Sequence, residues 1–112
     1  MTEEEKTYLL AHGAKYMQPE ELKARARIDF LKYGVRPAIN EMYREKMEKI
    51  HRTPDEKADA LVALGEEALN QRIAERLYEN HRNDILNPCP RCERQARTPL
   101  AKQCRHCGFD WH

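Results

Sequence analysis

No stretch of this chain is apolar for the roughly 18 residues that a membrane-spanning helix needs, so no membrane partner is expected. Aromatic residues are scarce, at 7% of 112 residues with one Trp and two Phe. A core must therefore come from aliphatic side chains, and it can only be modest. Glycine is rarer still, with four in the chain, and none sits in a phosphate-cradling loop. No serine occurs at all. Nothing resembles a nucleophile–base pair or a paired-carboxylate site, so neither catalysis nor a small-molecule substrate is expected. The opening "MTEEEKTYLL" is acidic where a secretory signal has a basic segment, which points to the cytoplasm of a bacterium or phage-infected cell.

Cysteine is also missing, but only from the first 88 residues. All four cysteines fall between Cys89 and the end of the chain, in "CPRCERQARTPLAKQCRHCGFDWH". In a reducing compartment, paired cysteines indicate metal rather than disulfide.

What is present before that point is helical punctuation. The composition is 40% hydrophobic and 35% charged. Thr2 and Glu5 have capping-box spacing, and Gly13 offers a stop. Pro19 suits a first helical position, with Gly34 closing that helix near Tyr33. Leu22, Ala26, Phe30 and Tyr33 form one apolar row there. Ala24, Ile28 and Leu31 form another, which predicts a central helix buried on two sides. A third helix is expected from Pro37, with Ile39, Met42, Tyr43, Met47 and Ile50 as its stripe. Thr53, Pro54 and Glu56 read as the start of a fourth. That helix keeps Ala58, Leu61, Val62, Leu69, Ile73 and Leu77 on one face to about Asn80, with Gly65 a soft spot inside it. "HRNDILNP" reads as a linker. The expected architecture is mainly α: a helical domain at 1–86 made of a bundle of about four helices, then a small C-terminal zinc ribbon with a short β-hairpin at 87–112.

The cysteines form two Cys-x-x-Cys pairs, Cys89/Cys92 and Cys104/Cys107, separated by 11 residues. Each such step lets one tight turn present two sulfurs, and two turns complete the four soft ligands of a structural zinc site. One Zn²⁺ per chain is expected. The shell would be closed, leaving no open position for catalysis. A redox role would require a thioredoxin-like βαβ setting, which the sequence lacks. His106, inside the second pair, and His112 are weaker ligand candidates. The stretch "CPRC…AKQCRHCGFDW" resembles the small zinc-ribbon modules of bacterial and archaeal proteins. The resemblance covers residues 89–111 and departs at Glu93, where those modules usually have Gly. It implies nucleic-acid contact, protein docking, or closure of a chain end.

Charge is unevenly spread. Residues 1–50 carry 10 basic and 9 acidic side chains, 51–88 carry 5 and 8, and 89–112 carry 5 and 2. The tail's net +3 comes from Arg91, Arg94, Arg97, Lys102 and Arg105. These either meet phosphate or offset the roughly −2 of four thiolates around a divalent ion. Phe109 and Trp111 either stack on bases or pack beside the metal. A second candidate contact is "DFLKYGVRPAINEMYRE" at residues 29–45, a helix, a Gly-containing turn and a helix, in which Arg36, Asn40 and Arg44 could face a DNA groove. The apolar phasing of a helix-turn-helix is imperfect there. Two functions follow. One is a non-enzymatic adaptor or inhibitor that binds another protein. The other is a DNA- or RNA-binding regulator using the basic tail and the helical corner.

Overall fold

The computed structural model describes residues 1–34 and 40–111. Among these residues the chain is mainly helical, with five α-helices: α1 (Glu3–His12), α2 (Pro19–Tyr33), α3 (Glu41–Arg52), α4 (Glu56–Val62) and α5 (Glu66–Ile85). A single 3-10 turn follows α1 at Ala14–Tyr16. Among the described residues no helix is long and apolar enough to cross a membrane. The chain divides into two compact units, residues 1–17 with 70–112, and residues 18–69. The boundary expected between residues 86 and 87 concerns independent folding, which only truncation measures.

In the first unit, Thr2 caps α1 as its sequence requires. Its hydroxyl accepts from the Glu5 amide at 3.1 Å, and the Glu5 carboxylate accepts from the Thr2 amide at 2.8 Å. Gly13 ends the helix with φ −96°, so its role is space rather than left-handed backbone. A Cβ there would collide with the Leu9 carbonyl and lie 2.8 Å from Leu77 Cδ1. Leu9, Leu77 and Ile85 are fully buried around this approach. The Arg76 guanidinium donates to the Tyr16 carbonyl at 3.1 Å, and Tyr16 stacks on His81 at 4.3 Å.

The second unit rests on a parallel pairing of α2 with α4. Lys23 meets Asp55 at 2.8 Å, and Arg27 meets Asp59, each pair 32 residues apart. A constant separation of this kind requires the two helices to run in the same direction. Lys32 extends the row to Glu66, at the start of α5, at 3.0 Å. Ala24 and Ala58 are buried in this unit, small enough for close approach. Arg27 is buried too, and it also donates to the Thr53 carbonyl.

Five expectations change. The helix foreseen from Thr53 to Asn80 is two helices, because Gly65 adopts φ +91° and interrupts it. Asp55, not Thr53, caps α4: its carboxylate accepts from the Ala58 amide at 3.0 Å, while Thr53 closes α3 by donating its hydroxyl to the Lys49 carbonyl at 2.6 Å. The linker foreseen at 81–88 is helical through Ile85, whose side chain is buried. Only part of one row of α2 is buried, at Ala24; Leu22, Leu31 and Tyr33 are exposed. No strand forms among the described residues. Where a short hairpin was expected, there are two isolated antiparallel bridges, Pro88 to Gln95 and Gln103 to Asp110.

Candidate metal centre

Each cysteine pair sits on a turn whose amides point at the first sulfur. The Arg91 and Cys92 amides lie 3.4 Å from Cys89 Sγ. The His106 and Cys107 amides lie 3.3 and 3.4 Å from Cys104 Sγ. The two turns match bond for bond at an offset of 15 residues. The Cys89 amide donates to Arg94 O and the Cys104 amide to Phe109 O, both at 2.8 Å. Glu93 N–H reaches Cys89 O at 2.9 Å, and Gly108 N–H reaches Cys104 O at 3.0 Å. The Ala96 amide reaches Asn87 O, and the Trp111 amide reaches Lys102 O, both at 2.9 Å. Both bridges obey the same offset. The turn needs a left-handed residue after the second cysteine. Gly108 supplies φ +79°; its counterpart Glu93 is held at φ +67°, the one non-glycine with positive φ among the described residues.

Face to face, the turns bring all four sulfurs within 4.8 Å of one another. Cys89 Sγ lies 3.6 Å from Cys107 Sγ, and Cys92 Sγ lies 3.5 Å from Cys104 Sγ. Zn–S bonds of about 2.3 Å in a tetrahedron place sulfurs about 3.8 Å apart, so the cluster fits one such ion. A disulfide needs about 2.05 Å, and all four thiols are free. Cys89 and Cys104 are buried while Cys107 is exposed.

The electrostatics suit metal capture. The Cys107 amide, against the resistance of burial and with help from the His106 amide, brings the Cys104 thiol down to about 6. At Cys89 burial resists ionisation, but the Cys92 and Arg91 amides prevail and the thiol is lowered. Cys92 receives the Arg94 amide, yet burial and the neighbouring sulfurs push it up to about 12. The last thiolate to form in a crowded anionic cluster is the hardest, and a divalent cation removes that cost. With four sulfurs as ligands the shell is complete, as in structural rather than catalytic zinc sites.

The turns are anchored to α1. Glu4 accepts from the Gln95 amide at 2.8 Å and from Arg94 Nε at 3.3 Å. The Gln95 amide, working against partial burial and aided by Arg94, holds the Glu4 carboxyl below its usual 4.5. Asn87 fixes the loop between the turns, its side-chain amide donating to the Thr98 and Ala101 carbonyls at 3.0 and 2.8 Å. Neither anchor was foreseen; an isolated Glu or Asn carries no sequence signal for a tertiary bond.

The remaining candidates divide. Arg91, Arg94, Arg97, Lys102 and Arg105 are all exposed, and only Arg94 is taken by an acid among the described residues. Phe109 and Trp111 are half-buried and stack at 6.3 Å. His106 accepts from Arg105 Nε at 3.4 Å and does not join the sulfur cluster. His112 and Arg36, with Pro37 and Ile39, lie outside the described residues. Asn40 is the cap of α3, its Oδ1 accepting from the Tyr43 amide at 2.9 Å, which engages the group that would read a base. Arg44 is exposed on α3.

Compared with family models, curated proteins and solved structures, the chain finds no match. Its recognisable part is the four-cysteine cluster, consistent with a zinc-ribbon-like module.

Proposed function

We propose that this is a non-enzymatic binding protein, an adaptor or inhibitor, in which one Zn²⁺ on Cys89, Cys92, Cys104 and Cys107 holds a ribbon-like tail and the helices offer the main surface to a partner protein. A reducing compartment such as the cytoplasm keeps the four thiols available to the ion. The closed sulfur shell supports a structural ion.

The observation that carries partner binding is α3. None of its residues is buried. Met42 is 81% exposed, and Tyr43 and Ile50 are exposed beside it. A twelve-residue helix with no fully buried residue, docked through the stacking of His51 on Phe30 of α2 at 4.9 Å, gains little from its own fold, and an exposed apolar face of this kind serves a partner. Arg44 and Lys46 flank that face. The test is affinity capture from bacterial lysate with the full chain and with Met42→Glu/Ile50→Glu. A polypeptide that co-purifies with the parent chain, resists nuclease and is lost with the double variant supports the reading. Capture that nuclease abolishes supports a nucleic-acid role in its place.

A further inference from the structure

Three of the five tail cations converge. Arg97, Lys102 and Arg105, with Gln103, line an open groove of about 530 Å³ beside the second cysteine turn, and among the described residues no acidic side chain lines it. Arg97 and Lys102 have no carboxylate partner among the described residues. Cys104 also lines the groove. An ion on four thiolates leaves about −2 there, so three cations do more than balance it. The adjoining loop is rigidly held, by the two Asn87 bonds and by the Ala101 amide donating to Thr98 O at 3.1 Å. At its tip Leu100 is 87% exposed, next to the groove-lining Ala101. A fixed apolar knob beside a basic groove matches an acidic chain with apolar side chains. In such a peptide the carboxylates and the apolar side chain lie on one strand at matching spacing, whereas a phosphodiester backbone meets only the cations.

We propose that this groove binds an acidic peptide segment of a partner protein, with Arg97, Lys102 and Arg105 taking its carboxylates and Leu100 seating one of its apolar side chains. The proposal rests on the protein-binding reading above and assigns that partner its chemistry. Pre-organisation of the loop lowers the ordering cost of such a contact. Arg91 does not line the groove, so it serves as an internal control.

The experiment is fluorescence anisotropy on the full chain with zinc bound, at about 0.15 M salt. One probe is a labelled peptide of about twelve residues, mixing Asp and Glu with regularly spaced Leu. The other is a labelled oligothymidylate of similar charge. Zinc content is measured for every variant. The peptide should bind more tightly than the oligonucleotide. Arg97→Ala/Lys102→Ala/Arg105→Ala should weaken it at least tenfold, Leu100→Ala several-fold, and Arg91→Ala less than twofold. The proposal is overturned if the peptide fails to bind below about 1 mM, or if the oligonucleotide binds more tightly and Leu100→Ala is silent. It is also overturned if the triple variant loses zinc while still binding peptide, since the cations would then serve the metal alone. None of these results touches the α3 reading, which the Met42/Ile50 variant tests separately.

Discussion

Glu93→Gly should tighten zinc binding. The two cysteine turns share their hydrogen bonds at an offset of 15 residues, and both need a left-handed residue after the second cysteine. Gly108 meets that need at φ +79°, and Glu93 is forced into it at φ +67°. A left-handed L-residue costs about 1–2 kcal/mol. Glycine returns about 0.5–1 kcal/mol of that through the extra entropy it loses on folding. The net gain is about 1 kcal/mol. Because metal binding and folding of so small a module are one equilibrium, the gain reads as roughly fivefold in apparent zinc affinity. Glu93 is exposed and makes no ion pair among the described residues, so little is lost with its side chain. Competition with a chromogenic zinc chelator at fixed pH measures the change. Gly108→Ala is the reciprocal: among the described residues nothing lies within 4 Å of its added Cβ, so backbone strain should weaken binding by a similar factor. The double variant should return close to the parent. If Glu93→Gly leaves affinity unchanged or lowers it while Gly108→Ala weakens it, the equivalence of the two turns is wrong.

Cys104→Ser should take metal content from one zinc per chain to none and unfold the tail while most helical circular dichroism survives; zinc in equal amount in the variant would refute the ligand set. Truncation after Leu86 should leave a cooperative thermal transition, and a truncated chain that melts without one would make the tail part of the core. Gly13→Ala should cost about 1–3 kcal/mol by overpacking against Leu9 and Leu77; an unchanged melting temperature would show that the gap is not tight. Glu4→Gln should destabilise the chain at neutral pH. The Glu4 carboxyl is depressed when folded, so its contribution is present above the ordinary 4.5 and is lost as pH falls through the lower folded value. The gap in urea midpoint between parent and variant should therefore close below about pH 4.5, and a gap constant with pH would remove the ionic contribution of Glu4.

Local signals proved legible where one short segment settles the matter. Thr2 with Glu5, Pro19 and Gly34 each act through neighbours within four residues, and α1 and α2 begin and end where those residues place them. Errors arose where two local signals competed. Thr53 and Asp55 are both good caps; Thr53 is taken up in closing α3, and Asp55 caps α4 through the Ala58 amide while also meeting Lys23 on α2. Gly65 could have been tolerated inside a helix at about 1 kcal/mol, yet it takes positive φ and splits the segment. The burial of Ile85 could not be read either, since its side chain packs beside Gly13, far away in sequence at the end of α1.

At the metal centre, spacing alone identified the four sulfurs, because a Cys-x-x-Cys turn fixes two ligands within one hydrogen-bonded loop. What spacing could not reveal is that the two equivalent turns diverge in use. Position 94 is Arg and its counterpart at 109 is Phe; position 96 is a buried Ala and its counterpart at 111 is a half-buried Trp. The first turn is used for attachment, with the Arg94 side chain and the Gln95 backbone amide both held by Glu4. The second leaves Lys102 and Arg105 along an open groove. A single ion joins them through the cross-turn contacts Cys89–Cys107 and Cys92–Cys104. Removing the metal should therefore release the second turn first, since Glu4 still ties the first turn to α1 through Arg94 and the Gln95 backbone amide. Hydrogen exchange on the chelated protein tests this order: amides of Cys104, Gly108 and Trp111 should lose protection before those of Cys89, Gln95 and Ala96. Equal loss in both turns would mean that the Glu4 anchor does not outlast the ion.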